Sequence, residues 1–251
     1  MYRLNNFFLI LFFLIPLSLI TGPAIPDITI TFTGVFGLTW LFIIKKRYDL
    51  FNDSFINISL LFWLGLIFIS FFAFNKEKSF QDSIIYLRFL FIPICCYYIF
   101  FKDEKNLKYL LLIILVLVLF VLIDTLFQFF NYDTINGFGR DLLGFKSNWY
   151  GRLTGPFGDE LVPGSYVSKF GLVGYVYLLL NNRLKYKILL NSSYLSLILI
   201  ICFVSGERMA FATFLLAMSL LLFLLKNYRK EILLAIISGL TIIFFIYKFH
   251  P

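Results

Sequence analysis

The chain has 251 residues, of which 61% are hydrophobic and 14% are charged. A water-soluble globule of this size needs far more polar surface, so the composition excludes that class and indicates that lipid solvates the protein. The net charge of +8 would suit a nucleic-acid partner if the basic residues were gathered on one soluble face, but they are scattered between apolar runs. We therefore expect a lipid bilayer, and no nucleic acid, among the partners.

Nine apolar runs follow one another along the chain. One membrane crossing takes about 20 apolar residues, because a helix rises about 1.5 Å per residue and the hydrocarbon core is roughly 30 Å thick. Continuous runs without alternation favour helices over a β-barrel. The sequence thus predicts an all-α, polytopic transmembrane helical bundle of about nine spans that forms a single transmembrane domain over residues 1–251. The spans are predicted at about 7–22, 28–44, 55–74, 84–101, 108–130, 163–180, 188–204, 209–225 and 231–247.

The first run is short and follows Arg3, so a cleaved signal peptide is its alternative interpretation. The stretch Thr21-Gly22-Pro23-Ala24 makes a poor cleavage site for it. Basic residues differ between alternate loops, with thirteen in the set that contains Arg3 and seven in the opposite set. Because Lys and Arg near span ends are retained in the cytoplasm, the N-terminus is predicted to be cytoplasmic.

Residues 131–162 form one long, polar connection that is rich in glycine. By the orientation above it is a Gly-rich periplasmic loop, and long loops of this kind are functional or disordered. Its glycines do not form a dinucleotide fingerprint, because the third expected position after Gly137 and Gly139 is Leu142. No metal site is predicted either, since Cys95, Cys96 and Cys202 lie in apolar runs and His250 is the single histidine.

Ionisable side chains inside the spans are costly, so each marks a hypothetical functional site. Arg88, Asp124, Lys169 and the Glu207-Arg208 pair are all predicted at a similar depth in the outer half of the membrane, with Gln128 on the helical face of Asp124. We expect them to converge on one polar outer cavity. The alternative is that the cations extend to the outer interface and Asp124 neutralises one of them.

This predicted cavity suits a phosphate or diphosphate. The sixth and eighth helices point their N-termini outward, where free N–H groups favour an anion. Arginine adds a planar fork that matches phosphate oxygens, so Arg152, Lys169 and Arg208 are candidate ligands. The carboxylates Asp159, Glu160 and Glu207 either orient the arginines or supply a base, and the sequence leaves this open.

Two motifs resemble the O-antigen ligase and O-antigen polymerase family. The first is Arg152-Leu153-Thr154-Gly155-Pro156-Phe157-Gly158-Asp159-Glu160, and the second is Ser205-Gly206-Glu207-Arg208 at the start of a later span. In that family an arginine with a following Gly-x-Phe-Gly-Asp lies on the outer side, and a second arginine opens a later span. The resemblance follows the order of spans along the whole chain, whereas its residue-level support is confined to these two motifs.

The resemblance implies a glycosyltransferase of the bacterial inner membrane that acts at the periplasmic face. Its donor would be an undecaprenyl-diphosphate-linked oligosaccharide, and its acceptor a lipid A-core or another glycan, with no cofactor and no metal. Arg152 and Arg208 would be the catalytic residues that grip the diphosphate. The expected substrate-binding residues are Arg88, Lys169, Asp159, Glu160, Glu207 and Asp124.

Family members continue into a large outer loop with a histidine and further spans, so this chain is expected to correspond to the N-terminal part of such an enzyme. No catalytic role is assigned to His250. Ligase and polymerase activities are not separated by the sequence. A secondary transporter or flippase for a lipid-linked or anionic substrate is the alternative function, although such proteins show paired repeats and midplane sites, and neither is evident. A noncatalytic membrane scaffold is a third hypothesis.

Overall fold

The computed structural model describes residues 2–22, 24–41, 53–99, 104–133, 135, 139–181 and 186–249. Within these ranges the fold is all-helical, as predicted, and an isolated bridge joins Arg140 and Lys146 in place of any sheet. Each of the nine predicted runs coincides with one α-helix. The helices are α1 (Tyr2–Ser18), α2 (Ala24–Thr39), α3 (Ser54–Ser70), α4 (Lys76–Ile99), α5 (Glu104–Phe130), α6 (Pro163–Leu180), α7 (Lys187–Val204), α8 (Arg208–Leu224) and α9 (Arg229–Phe249).

Some residues named above lie outside the described ranges. They are Pro23, Gly137 and His250. Six of the thirteen basic residues counted in the predicted cytoplasmic loops also lie outside these ranges: Lys45, Lys46, Arg47, Lys102, Arg183 and Lys185. Two short 3-10 helices complete the described part, Gly155–Phe157 before α6 and Lys226–Tyr228 before α9.

Four segments in the described part are long and apolar enough to cross a membrane: Lys76–Tyr97, Glu104–Phe130, Lys187–Val204 and Lys226–Lys248. Helices α1, α2, α3 and α8 contain shorter apolar segments. The sixth predicted span, α6, is 18 residues long but includes Lys169 and two serines, which lower its hydropathy. Length and composition therefore support membrane-spanning helices, with α5 the most apolar of the four.

The described residues fall into two compact units. The first comprises residues 1–19 and 23–107, and in it α2 packs against α1 and α4 while α3 packs against α4. Small residues let α2 and α4 approach closely, since a Cβ atom added to Gly37 would lie 2.6 Å from Cys95 Sγ.

The second unit comprises residues 20–22 and 108–251 and is built around α7. Helices α6, α8 and α9 all pack against α7, whose Leu195, Ile198 and Ile201 are fully buried. Close packing again depends on glycine, because a Cβ atom at Gly171 of α6 would lie 2.5 Å from Ile198 Cδ1. Helix α7 is therefore the core element of this unit.

A buried polar cluster joins three helices of the second unit. Asn191 of α7 donates to Glu231 of α9 at 2.5 Å, and the Tyr175 hydroxyl of α6 lies 3.5 Å from the same carboxylate oxygen. Asn191 is fully buried and Glu231 is 6% exposed. Because lipid offers no replacement partner, this cluster fixes the register of α7 against α9.

Replacing Asn191 with Leu should destabilise the second unit by about 1–3 kcal/mol, because the Glu231 carboxylate loses its closest donor in a buried site. The measurement is the thermal midpoint of the purified protein in detergent, followed by size-exclusion chromatography after heating. Ser193→Leu, at an exposed position of the same helix, is the matched control and should melt with the wild type. Equal midpoints for all three proteins would show that the cluster does not hold α7 to α9.

Candidate functional site

Gln128, in the last turn of α5, anchors the long loop. Its side chain is fully buried, and its Oε1 atom accepts from the backbone N–H groups of Thr154 at 2.9 Å and Gly155 at 2.7 Å. Its Nε2 atom donates to the Gly139 carbonyl at 3.2 Å and to Thr154 Oγ1 at 3.3 Å. One amide therefore ties two distant points of the loop, residues 139 and 154–155, to the end of α5.

Two positions of this anchor require glycine. A Cβ atom at Gly139 would lie 2.3 Å from the Gln128 carbonyl oxygen, and one at Gly155 would lie 2.6 Å from Thr125 Oγ1. Gly155 also has φ +53, in the left-handed region that glycine adopts without strain. Gly155, the fourth residue of the first motif, thus has a backbone conformation and a close contact with α5 that favour glycine.

Asp124 also contacts the loop, one turn before Gln128. Its side chain is fully buried, and Oδ1 accepts from the Leu142 N–H at 3.0 Å. Its Oδ2 atom has no hydrogen-bond partner among the described residues. The structure therefore joins this predicted ligand to the loop backbone and not to a cation.

Glu207 lies between α7 and α8, and its side chain caps another helix. The carboxylate accepts from the N–H groups of Gly164 at 2.7 Å and Ser165 at 3.0 Å, in the first turn of α6, and the Ser165 hydroxyl donates to it as well. The first-turn N–H groups of α6, expected to face a bound anion, are thus occupied by the protein's own carboxylate. The first turn of α8 receives no side-chain cap from Glu207.

Arg152 and Arg208 line one cavity of about 810 Å³ in the second unit. An Nη2 atom of Arg152 donates to the Gly206 carbonyl at 3.4 Å, so the first motif contacts the second. The Nε atom of Arg152 is buried and has no hydrogen-bond partner among the described residues. We call this the arginine cavity; its lining comprises Gly151, Arg152, Leu161, Cys202, Phe203, Gly206, Glu207, Arg208, Met209 and Phe211.

The lining of the arginine cavity lacks five of the eight predicted site residues: Arg88, Asp124, Asp159, Glu160 and Lys169. Asp159 and Glu160 are exposed after the short 3-10 helix, where Asp159 accepts from the Asn148 side chain. Lys169 is exposed on α6. The sequence-predicted residues that the cavity brings together are therefore Arg152, Arg208 and Glu207.

Arg88 belongs to the first unit, where it pairs with α2. Its Nη2 atom lies 3.1 Å from Asp27 Oδ2, and Nη1 donates to Thr31 Oγ1 at 3.3 Å. Sequence reasoning missed this partner. The spacing of Asp27 and Thr31, four residues apart on one helical face, is the signal that would have revealed it.

Asp141 closes a tight turn in the loop. Its Oδ1 atom accepts from the Phe145 N–H at 2.6 Å, and its own N–H donates to the Phe145 carbonyl at 3.0 Å. The side chain is 3% exposed. Burial raises the pKa of this carboxyl, while backbone N–H groups, chiefly that of Phe145, lower it by a smaller amount.

The fold and the site together define an all-helical protein with helices suited to a membrane and a cavity that contains two arginines and one helix-capping carboxylate. No protein family model, no curated protein and no solved structure matches the chain. The arginine cavity is the place where the two sequence motifs meet.

Gln128→Leu should release the loop from α5, because it leaves the buried N–H groups of Thr154 and Gly155 without an acceptor, at about 1–3 kcal/mol each. Hydrogen exchange followed by mass spectrometry should show faster exchange in peptides that contain these two residues. Gln128→Glu, which keeps the acceptor and loses the Nε2 donor, should give an intermediate rate. Unchanged protection in Gln128→Leu would contradict the anchoring role.

Asp141→Asn should change how stability depends on pH. A carboxyl whose pKa is raised on folding binds its proton more tightly in the folded protein, so its contribution to stability falls as the pH rises from the ordinary value of about 3.9 through the raised value. The asparagine keeps an acceptor for Phe145 and has no titrating group. As the pH rises above about 4, the wild type should therefore lose thermal stability relative to Asp141→Asn. Melting curves that stay parallel across this range would refute the assignment.

Proposed function

We propose that this protein is a polytopic protein of the bacterial inner membrane, with nine crossings and a cytoplasmic N-terminus, that transfers a glycan at the periplasmic face. The donor is an oligosaccharide linked to undecaprenyl diphosphate, and the acceptor is lipid A-core or a growing glycan. The observation that supports this most directly is that Arg152 and Arg208, from separate motifs, line the same cavity.

The arrangement of helix ends is consistent with this topology. Contacts at the end of α5, the start of α6, the end of α7 and the start of α8 gather these four ends around the loop and the arginine cavity. Helices that cross a membrane in alternating directions bring such ends to one side. The distribution of Lys and Arg makes that side periplasmic.

The chemistry follows from the charge that develops on the leaving group. An acceptor hydroxyl attacks the anomeric carbon of the first sugar, the bond from that carbon to the diphosphate oxygen breaks, and the acceptor's proton is released as the undecaprenyl diphosphate departs. Negative charge grows on the diphosphate in the transition state. The guanidinium groups of Arg152 and Arg208, together with the uncapped start of α8, stabilise that charge and lower the barrier.

Glu207 has a positioning role in this proposal. Its two carboxylate oxygens already accept from the backbone of α6 and from the Ser165 hydroxyl. These three bonds fix the orientation of the carboxylate against the first turn of α6. Glu207 therefore holds Gly206 and Arg208 against the start of α6, and its charge moderates the positive potential of the cavity.

Substituting Arg152 or Arg208 with Ala in the chromosomal gene should abolish surface polysaccharide at an unchanged level of membrane protein. Loss of one charge-stabilising contact raises the barrier by about 3 kcal/mol, or roughly a hundredfold in rate. The readouts are gel electrophoresis of extracted polysaccharide and immunoblotting of the membrane fraction.

Arg229→Ala is the matched control, because Arg229 is exposed at the start of α9, does not line the arginine cavity and contacts the Leu222 carbonyl. It should leave the polysaccharide intact. Normal polysaccharide in the Arg152 and Arg208 variants would refute the proposed function.

A further inference from the structure

A second cavity, of about 740 Å³, lies in the second unit beside the end of α5. We call it the loop cavity. It is distinct in composition from the arginine cavity, since its lining combines an aromatic ring, an amide, two carboxylates and two cations. These residues are Phe127, Asn131, Asp133, Arg140, Asp141 and Lys146.

The two cavities are neighbours. The N–H of Gly151, which lines the arginine cavity, donates to the Tyr132 hydroxyl at 3.0 Å, and Tyr132 lies between Asn131 and Asp133 of the loop cavity. Four residues separate Lys146 from Gly151, so the Cα atoms of these two residues lie at most about 18 Å apart. A hydrogen bond and a short stretch of chain therefore connect the linings of the two cavities.

The charges of the loop cavity select the class of ligand. Asp133 and Asp141 disfavour an anion, Arg140 and Lys146 disfavour a metal cation, and the four charges together disfavour an apolar ligand. A ligand without net charge that donates and accepts hydrogen bonds at many points can bond to both the carboxylates and the cations. The Phe127 ring is 41% exposed and offers a flat apolar face to the C–H groups of such a ligand.

The cavity wall is held in place by backbone contacts. Arg140 and Lys146 face each other across an isolated bridge, and Asp141 and Phe145 close the turn between them. Gly144 has φ +88, which permits this turn. Asp124 of α5 accepts from the Leu142 N–H in the same turn. The backbone of this turn and the Asp141 side chain are thus fixed without a ligand, which lowers the entropic cost of binding one.

We infer that the loop cavity binds sugar residues, with Phe127 stacking against a pyranose face and Asn131, Asp133, Arg140 and Lys146 bonding to its hydroxyl groups. This inference rests on the proposed function, in which the diphosphate occupies the arginine cavity. The sugars belong either to the donor glycan, continuous with that diphosphate, or to the acceptor, and both present the same hydroxyl-rich chemistry.

The test measures binding to the full chain in lipid nanodiscs by microscale thermophoresis. The sugar probe is a set of free oligosaccharides made by partial acid hydrolysis of the surface polysaccharide of the cell that carries the gene, and the lipid probe is undecaprenyl diphosphate without sugar. Phe127→Leu and Arg140→Ala should each weaken oligosaccharide binding about two- to tenfold, as expected for loss of one aromatic or charged contact. Both variants should bind undecaprenyl diphosphate like the wild type.

Phe130→Leu is the matched control, because Phe130 ends the same helix, is 78% exposed and does not line the cavity. If Arg140→Ala loses thermal stability, Arg140→Gln, which keeps a long polar side chain, takes its place. Oligosaccharide binding that is absent in the wild type, or equal in the wild type and the loop-cavity variants, overturns the inference.

A third probe, the oligosaccharide linked to undecaprenyl diphosphate, identifies the source of the sugars. Displacement of the free oligosaccharide by this donor assigns the cavity to donor sugars, and simultaneous binding assigns it to the acceptor. The proposed function fails separately, if undecaprenyl diphosphate binds the Arg152→Ala and Arg208→Ala variants as tightly as the wild type.

Discussion

The site depends on one interaction, the carboxylate of Glu207 on the first turn of α6. This contact joins the start of α8 to the start of α6, since Glu207 immediately precedes α8 while its side chain accepts from Gly164 and Ser165. Gly206, held in the same turn, then accepts from Arg152 of the loop. Without the carboxylate, the first-turn N–H groups of α6 would lack acceptors in a region where lipid supplies none. The contact that completes one helix therefore also assembles the two motifs.

The need of buried polar groups for partners within the protein also explains how the loop is held. Its backbone is partly buried against α5, so its polar groups need partners from the protein itself. Gln128 supplies four of these contacts, and Asp124 supplies another to Leu142. Both side chains lie within two turns of the end of α5, and both hold the loop to this apolar helix. The loop in turn carries Arg152 on one side and Arg140 and Lys146 on the other, which places both cavities against one anchored segment.

The helices were predictable from the sequence because long apolar runs specify them without reference to tertiary contacts. The meeting of Arg152 with the second motif was also expected, from predicted sidedness and from the resemblance of both motifs to one family. The partners of Glu207 were not predicted, because a carboxylate beside an arginine suggests an ion pair. Its actual partners, at the start of α6, depend on which helix end lies nearby in the fold. Lys169 shows a second limit: in a run that is apolar on all sides, periodicity does not reveal which face is exposed. Asp27 and Thr31 of α2 are the partners of Arg88, and the sequence did not predict them, because it does not reveal which helices pack together.

Arg152 shows why a partly satisfied site suits an anionic ligand. Its Nη2 atom bonds to Gly206, while its Nε atom is buried without an acceptor among the described residues, a state that costs about 1–3 kcal/mol. In the proposed function a phosphate oxygen binds the outer nitrogens of this guanidinium, whose orientation the Gly206 contact helps to fix. The two helix starts at the cavity differ. Glu207 caps the start of α6, whereas it gives the first-turn N–H groups of α8 no side-chain cap. The carboxylate of the cavity thus completes the helix framework, and the guanidinium groups and the start of α8 remain for the diphosphate of the proposed function.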